Sequence, residues 1–260
     1  MALAGRLRPP MTESEPLVLE ERRGGVVLLT LNRPERHHAL SAALNAALDD
    51  AFTRAADDPE VACVILTGSG EKAFCAGGDM LEMSGVETQE RPRRASSAIA
   101  RPATMPMPVI AAVNGYCYGG GARLAIACDI RLAAENATFR LPGAEYGLVV
   151  AAATLPRLVG AERAKELIFT ARKFTAAEAR AYGLVTEVYA QAELLPAAWA
   201  LAETIASHSA AAVRETKRVI DAATLSAGAS AMEDEANRRL RGSPEQVDRF
   251  RDATRRVTGR

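Results

Sequence analysis

Short runs of apolar residues, rich in β-branched side chains, alternate with polar segments along the first half of the chain. Each run stops at a turn-forming residue, which is typical of a strand that is buried on both faces. The pattern predicts four strands, at residues 25–31, 61–67, 108–113 and 128–133.

A helical pattern lies between the first two of these runs. It begins at Ser41, and Leu44, Leu48 and Phe52 recur four residues apart, which places them on one helix face. It ends near residues 57–59, where two aspartates precede a proline. Strand, helix and strand in this order predict an α/β fold with parallel pairing.

From about residue 156 onward, the pattern is that of helices alone. Thr175 and Glu178 have the spacing of a capping box, and Ser243 followed by Pro244 indicates a helix start. A small helical region buries little apolar surface by itself, so we expect it to pack on the core or on another subunit. The chain is accordingly divided into a flexible extension at 1–14, a core at 15–195 and a C-terminal helical oligomerisation region at 196–260.

The composition is that of an ordinary globular protein. The 260 residues include 32 Lys and Arg against 32 Asp and Glu, so the formal net charge is zero. This balance argues against a protein that coats nucleic acid, and we find no apolar run of the roughly 20 residues that cross a bilayer. The four cysteines have neither pairing nor metal-site spacing, so we expect free thiols and a cytoplasmic location.

Two glycine-rich turns are the candidate sites for chemistry. They span residues 74–80 and 114–123, and each follows an apolar run. Glycine lets a backbone approach a ligand closely, and a turn that enters a helix leaves N–H groups without partners. Such turns can bind a phosphate, or a carbonyl oxygen that gains negative charge. Tight packing of a strand on a helix is the alternative explanation of the same glycines.

Other kinds of site have weaker support in the sequence. The dinucleotide fingerprint G-x-G-x-x-G and the phosphate-loop ending G-K-[ST] are absent. Residues 115–119 have the glycine spacing of a nucleophile elbow, with Cys117 at the position of the nucleophile. The only histidine downstream is His208. A cysteine hydrolase is therefore a third and weaker hypothesis, and Cys117 is expected in the core. His37 and His38 are adjacent and cannot share a helix face as a zinc pair would.

Taken together, these residues make the chain similar to the crotonase superfamily, the family of enoyl-CoA hydratases and isomerases. The similarity runs from about residue 26 into the C-terminal helical region. The motifs that carry it lie at residues 31–35, 39–40, 73–79, 112–115, 119–121, 128–131, 139–142, 147–148 and 181–185.

The resemblance implies a crotonase-like spiral of ββα units with a C-terminal helical trimerisation region. It implies a homotrimer, or a dimer of trimers, that acts on an acyl-CoA in fatty acid metabolism as a lyase or an isomerase, with no nucleic-acid or membrane partner. Coenzyme A then enters as part of the thioester substrate, and no cofactor is permanently bound. In the family two backbone N–H groups grip the thioester oxygen, and by position these belong to Gly78 and Gly120.

The resemblance also assigns residues to substrate binding. The positions expected to contact the substrate or its CoA moiety are Arg36, His37, Ala39, Ala76, Gly77, Asp79, Met80, Tyr116, Gly119, Arg123, Pro142 and Gly143. Asp79 has an alternative role, because it follows Gly78 and precedes a helical pattern that it can cap.

The chain departs from the family's hydratases at both of their acid–base positions. Arg123 and Gly143 stand where those enzymes carry glutamates; a guanidinium stays protonated, and glycine has no side-chain proton to give. Leu81 and His38 also replace a common lysine and asparagine. The two-glutamate hydration mechanism is therefore doubtful, which favours an isomerase or another non-hydratase reaction.

Three substitutes for the missing glutamates are open. Glu145 could act as a single base, or it could be a surface or ion-paired carboxylate with Arg123 as its partner. Gly143 could leave room for a water or a small anion beside Arg123. Arg123 could instead hold a substrate carboxylate, or form a salt bridge on a helix surface.

Two further points stay open: the role of three tyrosines, and whether the protein is an enzyme. Tyr116, Tyr118 and Tyr146 are possible proton donors, although a packed tyrosine with a satisfied hydroxyl is the commoner outcome. The alternative to an enzyme is a non-catalytic acyl-CoA-binding member of the family, which keeps the glycine turns and lacks the acid and base.

Overall fold

The computed structural model describes residues 15–84 and 98–259. The predicted extension at 1–14 lies outside the described residues. A polar, arginine-rich segment lies between Asp79 and Pro108, and the sequence predicts it as a mobile helix or loop over a site, or as a plain solvated connection. Residues 85–97 of this segment also lie outside the described residues.

Ten strands are present in these ranges. They are β1 (Val18–Arg23), β2 (Val26–Leu31), β3 (Cys63–Gly68), β4 (Ala73–Cys75), β5 (Val109–Val113), β6 (Tyr116–Tyr118), β7 (Ile130–Ala134), β8 (Thr138–Arg140), β9 (Phe174–Thr175) and β10 (Glu187–Tyr189).

The same ranges contain ten α-helices and three short 3-10 helices. The α-helices are α1 (Ala42–Asp57), α2 (Met80–Met83), α3 (Gly120–Ala127), α4 (Pro156–Val159), α5 (Ala161–Thr170), α6 (Ala176–Ala181), α7 (Gln191–Ala206), α8 (Ala210–Thr224), α9 (Ala227–Leu240) and α10 (Pro244–Thr258). The 3-10 helices are Pro34–Arg36, Ala98–Thr104 and Ala144–Tyr146.

The main sheet has six strands in the order β1-β2-β3-β5-β7-β10. All neighbours from β2 to β10 pair in parallel, and only β1 is antiparallel, at one edge. The four predicted strands correspond to β2, β3, β5 and β7, so the prediction of buried, parallel strands is confirmed.

A second sheet joins four short strands in the order β4-β6-β8-β9. The sequence pattern missed this sheet, and the expectation of helices alone after residue 156 is wrong, because β9 and β10 lie there. Strands of two or three residues are too short for an alternation of polar and apolar positions to be recognised. The units β3-β4-α2 and β5-β6-α3 repeat one plan, and the predicted fold of ββα units is confirmed.

The core lies on both faces of the main sheet. Consecutive residues of β2 point to opposite sides, so Val27 and Leu29 pack with α1 while Val26 and Leu28 pack with α7. Leu44, Leu48 and Phe52 of α1 are fully buried, as predicted. On the other face, Leu194, Ala198, Trp199 and Ala202 of α7 cover the sheet. The division predicted at 195/196 falls inside α7.

The last three helices pack against the core through a few specific contacts. Lys217 of α8 donates from Nζ to Asp129 Oδ2 at 2.7 Å, and Phe250 of α10 meets the Tyr146 ring edge-on at 6.0 Å. None of the helices in the described ranges combines the length and the apolar character needed to cross a bilayer.

Candidate functional site

The two glycine-rich turns lie side by side because the strands that precede them belong to one sheet. β4 and β6 pair in parallel, so the chain leaves both strands at the same edge, into Gly77-Gly78 and into Gly119-Gly120. A Cβ added to Gly120 would lie 3.4 Å from the Gly78 nitrogen. With standard bond lengths this brings the two nitrogens within about 6 Å of each other.

Both amide groups are available as donors. Leu40 pairs with the first turn by donating to Gly77 O at 2.7 Å and accepting from Asp79 N–H at 3.2 Å, so the intervening Gly78 N–H faces the other way. Gly120 is the first residue of α3, where an N–H has no partner within the helix. Within residues 15–84 and 98–259, neither N–H donates to a protein acceptor. An oxygen that accepts from both at about 2.9 Å needs nitrogens within about 5.8 Å.

The first turn needs glycine at position 77. Gly77 has a φ of +104°, and a Cβ there would lie 2.9 Å from Tyr118 O. Its neighbour Ala76 donates from N–H to His37 O at 3.0 Å. On the second turn, Gly119 N–H donates to Arg140 O at 2.9 Å, and Pro142 lies 3.9 Å from the position of a Gly119 Cβ. These contacts hold both turns in fixed positions.

Asp79 caps helix α2, as predicted. Its Oδ1 accepts from the N–H groups of Leu81 and Glu82, and its Oδ2 accepts from Arg33 Nη1 at 2.6 Å. Burial by itself raises the pKa of this carboxyl, but the hydrogen bonds from Arg33 and from Glu82 N–H outweigh it, and the pKa is lowered. Met80, the other residue predicted here, is the first residue of α2 and is half-buried.

The two histidines of the strand-end turn have different environments. His38 is buried, and its Nδ1 accepts from Arg33 N–H at 3.0 Å while Nε2 lies 3.0 Å from Ser69 O. A ring nitrogen that accepts an N–H bond carries no proton, so this bonding pattern is that of a neutral, structural ring, and burial lowers the pKa of His38 in agreement. His37 is exposed and meets the Tyr116 ring at 5.8 Å. No group of metal-ligating side chains occurs in the part of the chain that the structure describes.

The remaining residues of this turn stay candidates for CoA contact. Arg36 is exposed and Ala39 is half-buried, beside the first glycine turn. Ala39 O accepts from Arg33 Nη1 at 3.0 Å, which fixes the turn to the same arginine that pairs with Asp79.

The structure does not pair Glu145 with Arg123. Glu145 Oε2 accepts from Arg140 Nη2, and Oε1 accepts from Arg256 Nη2 of α10 at 3.0 Å. Both carboxylate oxygens are therefore engaged by guanidinium groups. Before Glu145 can accept a proton from a substrate, at least one of these ion pairs has to open.

The space expected beside Gly143 is already filled. A Cβ at this position would lie 2.5 Å from Val150 Cγ2 and 2.9 Å from Leu148 O. Gly143 has a φ of −53°, which any residue adopts, so it is the packing of Val150 that demands glycine. Among the described residues, Val150 and Leu148 therefore leave no room for a water or a small anion at the position that a Gly143 side chain would occupy.

The side chains of β6 are mostly engaged in contacts within the protein or buried. Tyr118 OH lies 2.7 Å from Thr138 Oγ1, and its ring stacks on Tyr116 at 5.4 Å. Cys117 is buried, and burial raises the pKa of its thiol well above the ordinary value. A thiol that resists ionisation is a poor nucleophile, so the structure argues against the cysteine hydrolase. Burial also raises the pKa of Tyr146, which packs against Phe250.

The sequence pattern does not indicate two residues that lie near the site. Glu233 of α9 is buried, and its Oε1 lies 3.9 Å from Arg123 Nη2. Asn237, one turn later, bonds to the backbone of Val149. Both occur in a charged stretch that looks like a solvated helix face, so no pattern in the sequence distinguishes them.

Comparison with known proteins agrees with these features. A family model described as enoyl-CoA hydratase/isomerase matches residues 21–256. A putative enoyl-CoA hydratase/isomerase of Bacillus subtilis is 42% identical over 203 residues, 75% of this chain and 78% of that protein. A short-chain-enoyl-CoA hydratase of Clostridium acetobutylicum is 39% identical over 210 residues, 78% and 80% of the two chains.

Solved structures agree as well. The crystal structure of a carnitinyl-CoA hydratase from Mycobacterium avium superposes with a TM-score of 0.84 at 32% identity, covering 94% of this chain and 97% of that one.

Proposed function

The chain belongs to the enoyl-CoA hydratase/isomerase family, and from that premise we propose that it binds an acyl-CoA thioester and stabilises the enolate of that thioester. The observation that carries the proposal is the adjacency of two backbone donors, Gly78 N–H and Gly120 N–H, both without a protein acceptor in the described ranges. When the α-carbon of a thioester loses a proton, charge develops on the carbonyl oxygen. Two fixed donors stabilise this charge, and loss of one typically slows such reactions about 100- to 1000-fold.

The proposed reaction is an isomerisation or another reaction that does not hydrate by two glutamates. Arg123 cannot accept a proton, and Gly143 is packed under Val150. Glu145 is the remaining candidate for a single base, released when its ion pairs open. One base suffices for moving a double bond, because it can remove a proton from one carbon and return it to another.

The second candidate function is a non-catalytic acyl-CoA-binding protein. The observation that favours it is the double ion pair of Glu145 with Arg140 and Arg256. If that arrangement persists with the thioester bound, the two amides bind the carbonyl oxygen and no described carboxylate serves as base.

Turnover and binding assays distinguish the two functions. We expect the purified protein to shift the double bond of a 3-enoyl-CoA faster than it hydrates crotonyl-CoA, and Glu145→Gln to reduce turnover at least 100-fold. Glu162→Gln, an exposed glutamate on α5, is the control and should leave turnover unchanged. Tight binding with no turnover of either ester would favour the binding protein. Rapid hydration that survives Glu145→Gln would refute the isomerase.

A thioester analogue tests the two donors without changing the protein. Butyl-CoA, a thioether, lacks the carbonyl oxygen of butyryl-CoA and is otherwise alike. Each hydrogen bond is worth about 1 kcal/mol, so we expect the thioether to bind roughly 10- to 30-fold more weakly in a calorimetric titration. Equal affinities would contradict a role for Gly78 and Gly120 in holding the carbonyl.

We also propose self-association as a homotrimer or a dimer of trimers, with a cytoplasmic location. The support for self-association is a set of large apolar side chains that the C-terminal helices leave exposed in the single chain. These are Val219, Ile220, Met232 and Val257.

A further inference from the structure

Glu233 is a buried carboxylate on an otherwise exposed helix. Its residue is 8% exposed, and no other side chain of α9 is buried. Its Oε1 accepts from Ala151 N–H at 3.1 Å and its Oε2 accepts from Ala153 N–H at 2.8 Å. Burying a carboxylate is costly unless it is bonded or paired, so this position is specified and is not part of a solvated face.

Asn237 acts on the same segment from one turn further along α9. Val149 N–H donates to its Oδ1 at 3.0 Å, and its Nδ2 donates to Val149 O at 2.8 Å. Residues four apart lie on one face of a helix, so Glu233 and Asn237 together hold the backbone of residues 149–153.

This segment adjoins both positions where the chain departs from two-glutamate hydratases. Val150, between the residues that Asn237 and Glu233 bind, fills the space at Gly143. Glu233 Oε1 also lies 3.9 Å from Arg123 Nη2, and Arg123 is one helical turn beyond Gly120. The carboxylate therefore lies beside Arg123, a residue that the resemblance assigns to substrate contact.

We propose that Glu233 is a positioning residue that neutralises Arg123 and thereby selects an acyl group without a negative charge. This inference rests on the proposed binding of an acyl-CoA. The guanidinium of Arg123 is always protonated, and its side chain is 39% exposed, so alone it would attract a terminal carboxylate on the substrate. A fixed carboxylate beside it offsets that attraction and repels a second carboxylate.

The test compares the affinities of butyryl-CoA, glutaryl-CoA and free CoA for the full chain. Glutaryl-CoA carries a terminal carboxylate that butyryl-CoA lacks. We expect Glu233→Gln to shift the ratio of the two Kd values about tenfold in favour of glutaryl-CoA, with free CoA unchanged. Asp234→Asn, which removes an exposed charge one residue away, should leave the ratio unchanged.

Two further variants keep the proposal falsifiable. Asn237→Ala loosens the same segment without a change of charge, so it should lower stability and leave the ratio unchanged. Arg123→Gln should move the ratio in the opposite direction to Glu233→Gln, and it serves alone if the Glu233 variant fails to fold. An unchanged ratio in folded Arg123→Gln, or in folded Glu233→Gln, would overturn the inference. If the unaltered protein binds neither ester more tightly than free CoA, the proposed function is refuted, and this inference is refuted with it.

Discussion

At the scale of single residues, the atoms that can act in the candidate site are those that do not already have hydrogen-bond or ion-pair partners within the protein. Gly78 and Gly120 offer N–H groups that no described protein atom uses, whereas Glu145 is engaged on both oxygens and His38 on both ring nitrogens. A group becomes available for chemistry only when the fold leaves it unbonded or bonded weakly. The candidate site is for this reason made of backbone atoms more than of side chains.

Gly143 gives the first prediction at this scale. Gly143→Ala should lower the free energy of unfolding by about 1–3 kcal/mol, because the added methyl group overlaps Val150. Val150→Ala should recover only part of this loss when the two changes are combined, because the Val150 Cβ would still lie 2.6 Å and Leu148 O 2.9 Å from the new methyl group, as measured by urea unfolding of all three variants. Gly228→Ala is the control, since a Cβ there meets only Ser226 Oγ at 3.9 Å. Additive effects of Gly143→Ala and Val150→Ala would contradict the overlap.

Asp79 gives a pH-dependent prediction. The folded pKa of Asp79 lies below its unfolded value, so its contribution to stability is full above the unfolded pKa and is lost as the pH falls through the folded pKa. Asp79→Asn should therefore lower the free energy of unfolding by about 1–3 kcal/mol at neutral pH, and by less below about pH 3. Asp50→Asn, at an exposed residue of α1, is the control. Equal losses for Asp79→Asn at both pH values would refute the assignment.

At the scale of elements, local signals predict the ends of helices well. Ser41 Oγ accepts from Leu44 N–H at 3.1 Å, and the capping box of Thr175 and Glu178 is present with both of its bonds. These motifs depend on residues three apart, so the sequence suffices to recognise them. The short strands β4, β6, β8 and β9 depend on pairing between distant segments, and no local pattern announces them.

The attachment of α8 is a testable property of an element. Lys217 is 8% exposed and donates to Asp129 Oδ2 at 2.7 Å and to Pro102 O at 3.0 Å. Lys217→Met should lower the free energy of unfolding by about 3 kcal/mol, because it leaves Asp129 without its charge partner. Arg218→Met, on the exposed side of the same helix, should change it by less than about 0.5 kcal/mol. Similar losses from the two variants in urea unfolding would contradict a specific attachment.

At the scale of the whole molecule, the C-terminal helices contribute to the site as well as to the surface. Glu233 of α9 and Arg256 of α10 reach Arg123 and Glu145 in the core. The same region exposes Val219 and Ile220 on α8. A helical region that binds the core on one side and is apolar on another is suited to lie between subunits.

Self-association is predicted accordingly. Analytical ultracentrifugation should give a mass of about three or six times the 27.6 kDa of the single chain. Placing a charge in the apolar surface, as in Ile220→Arg, should shift the protein to the single-chain mass. Glu162→Lys, at an exposed charged residue of α5, should leave the assembly intact. A single-chain mass for the unaltered protein at micromolar concentration would refute the trimer.

The sequence by itself determined the four central strands of the main sheet, the helix starts and the two glycine turns. Apolar runs such as 26–31 and caps such as Ser41 are local, so their physics can be read residue by residue. It also located the departures from the hydratase pattern at Arg123 and Gly143.

Only the tertiary structure decided how these departures are accommodated. Val150 lies seven residues from Gly143, and Glu233 and Arg256 are more than 100 residues from the side chains they pair with. Burial and ion pairing depend on which distant segments the fold brings within a few ångströms, and one sequence carries no local sign of that choice. The second sheet is decided in the same way, because it exists only through the pairing of segments that are separate in the chain.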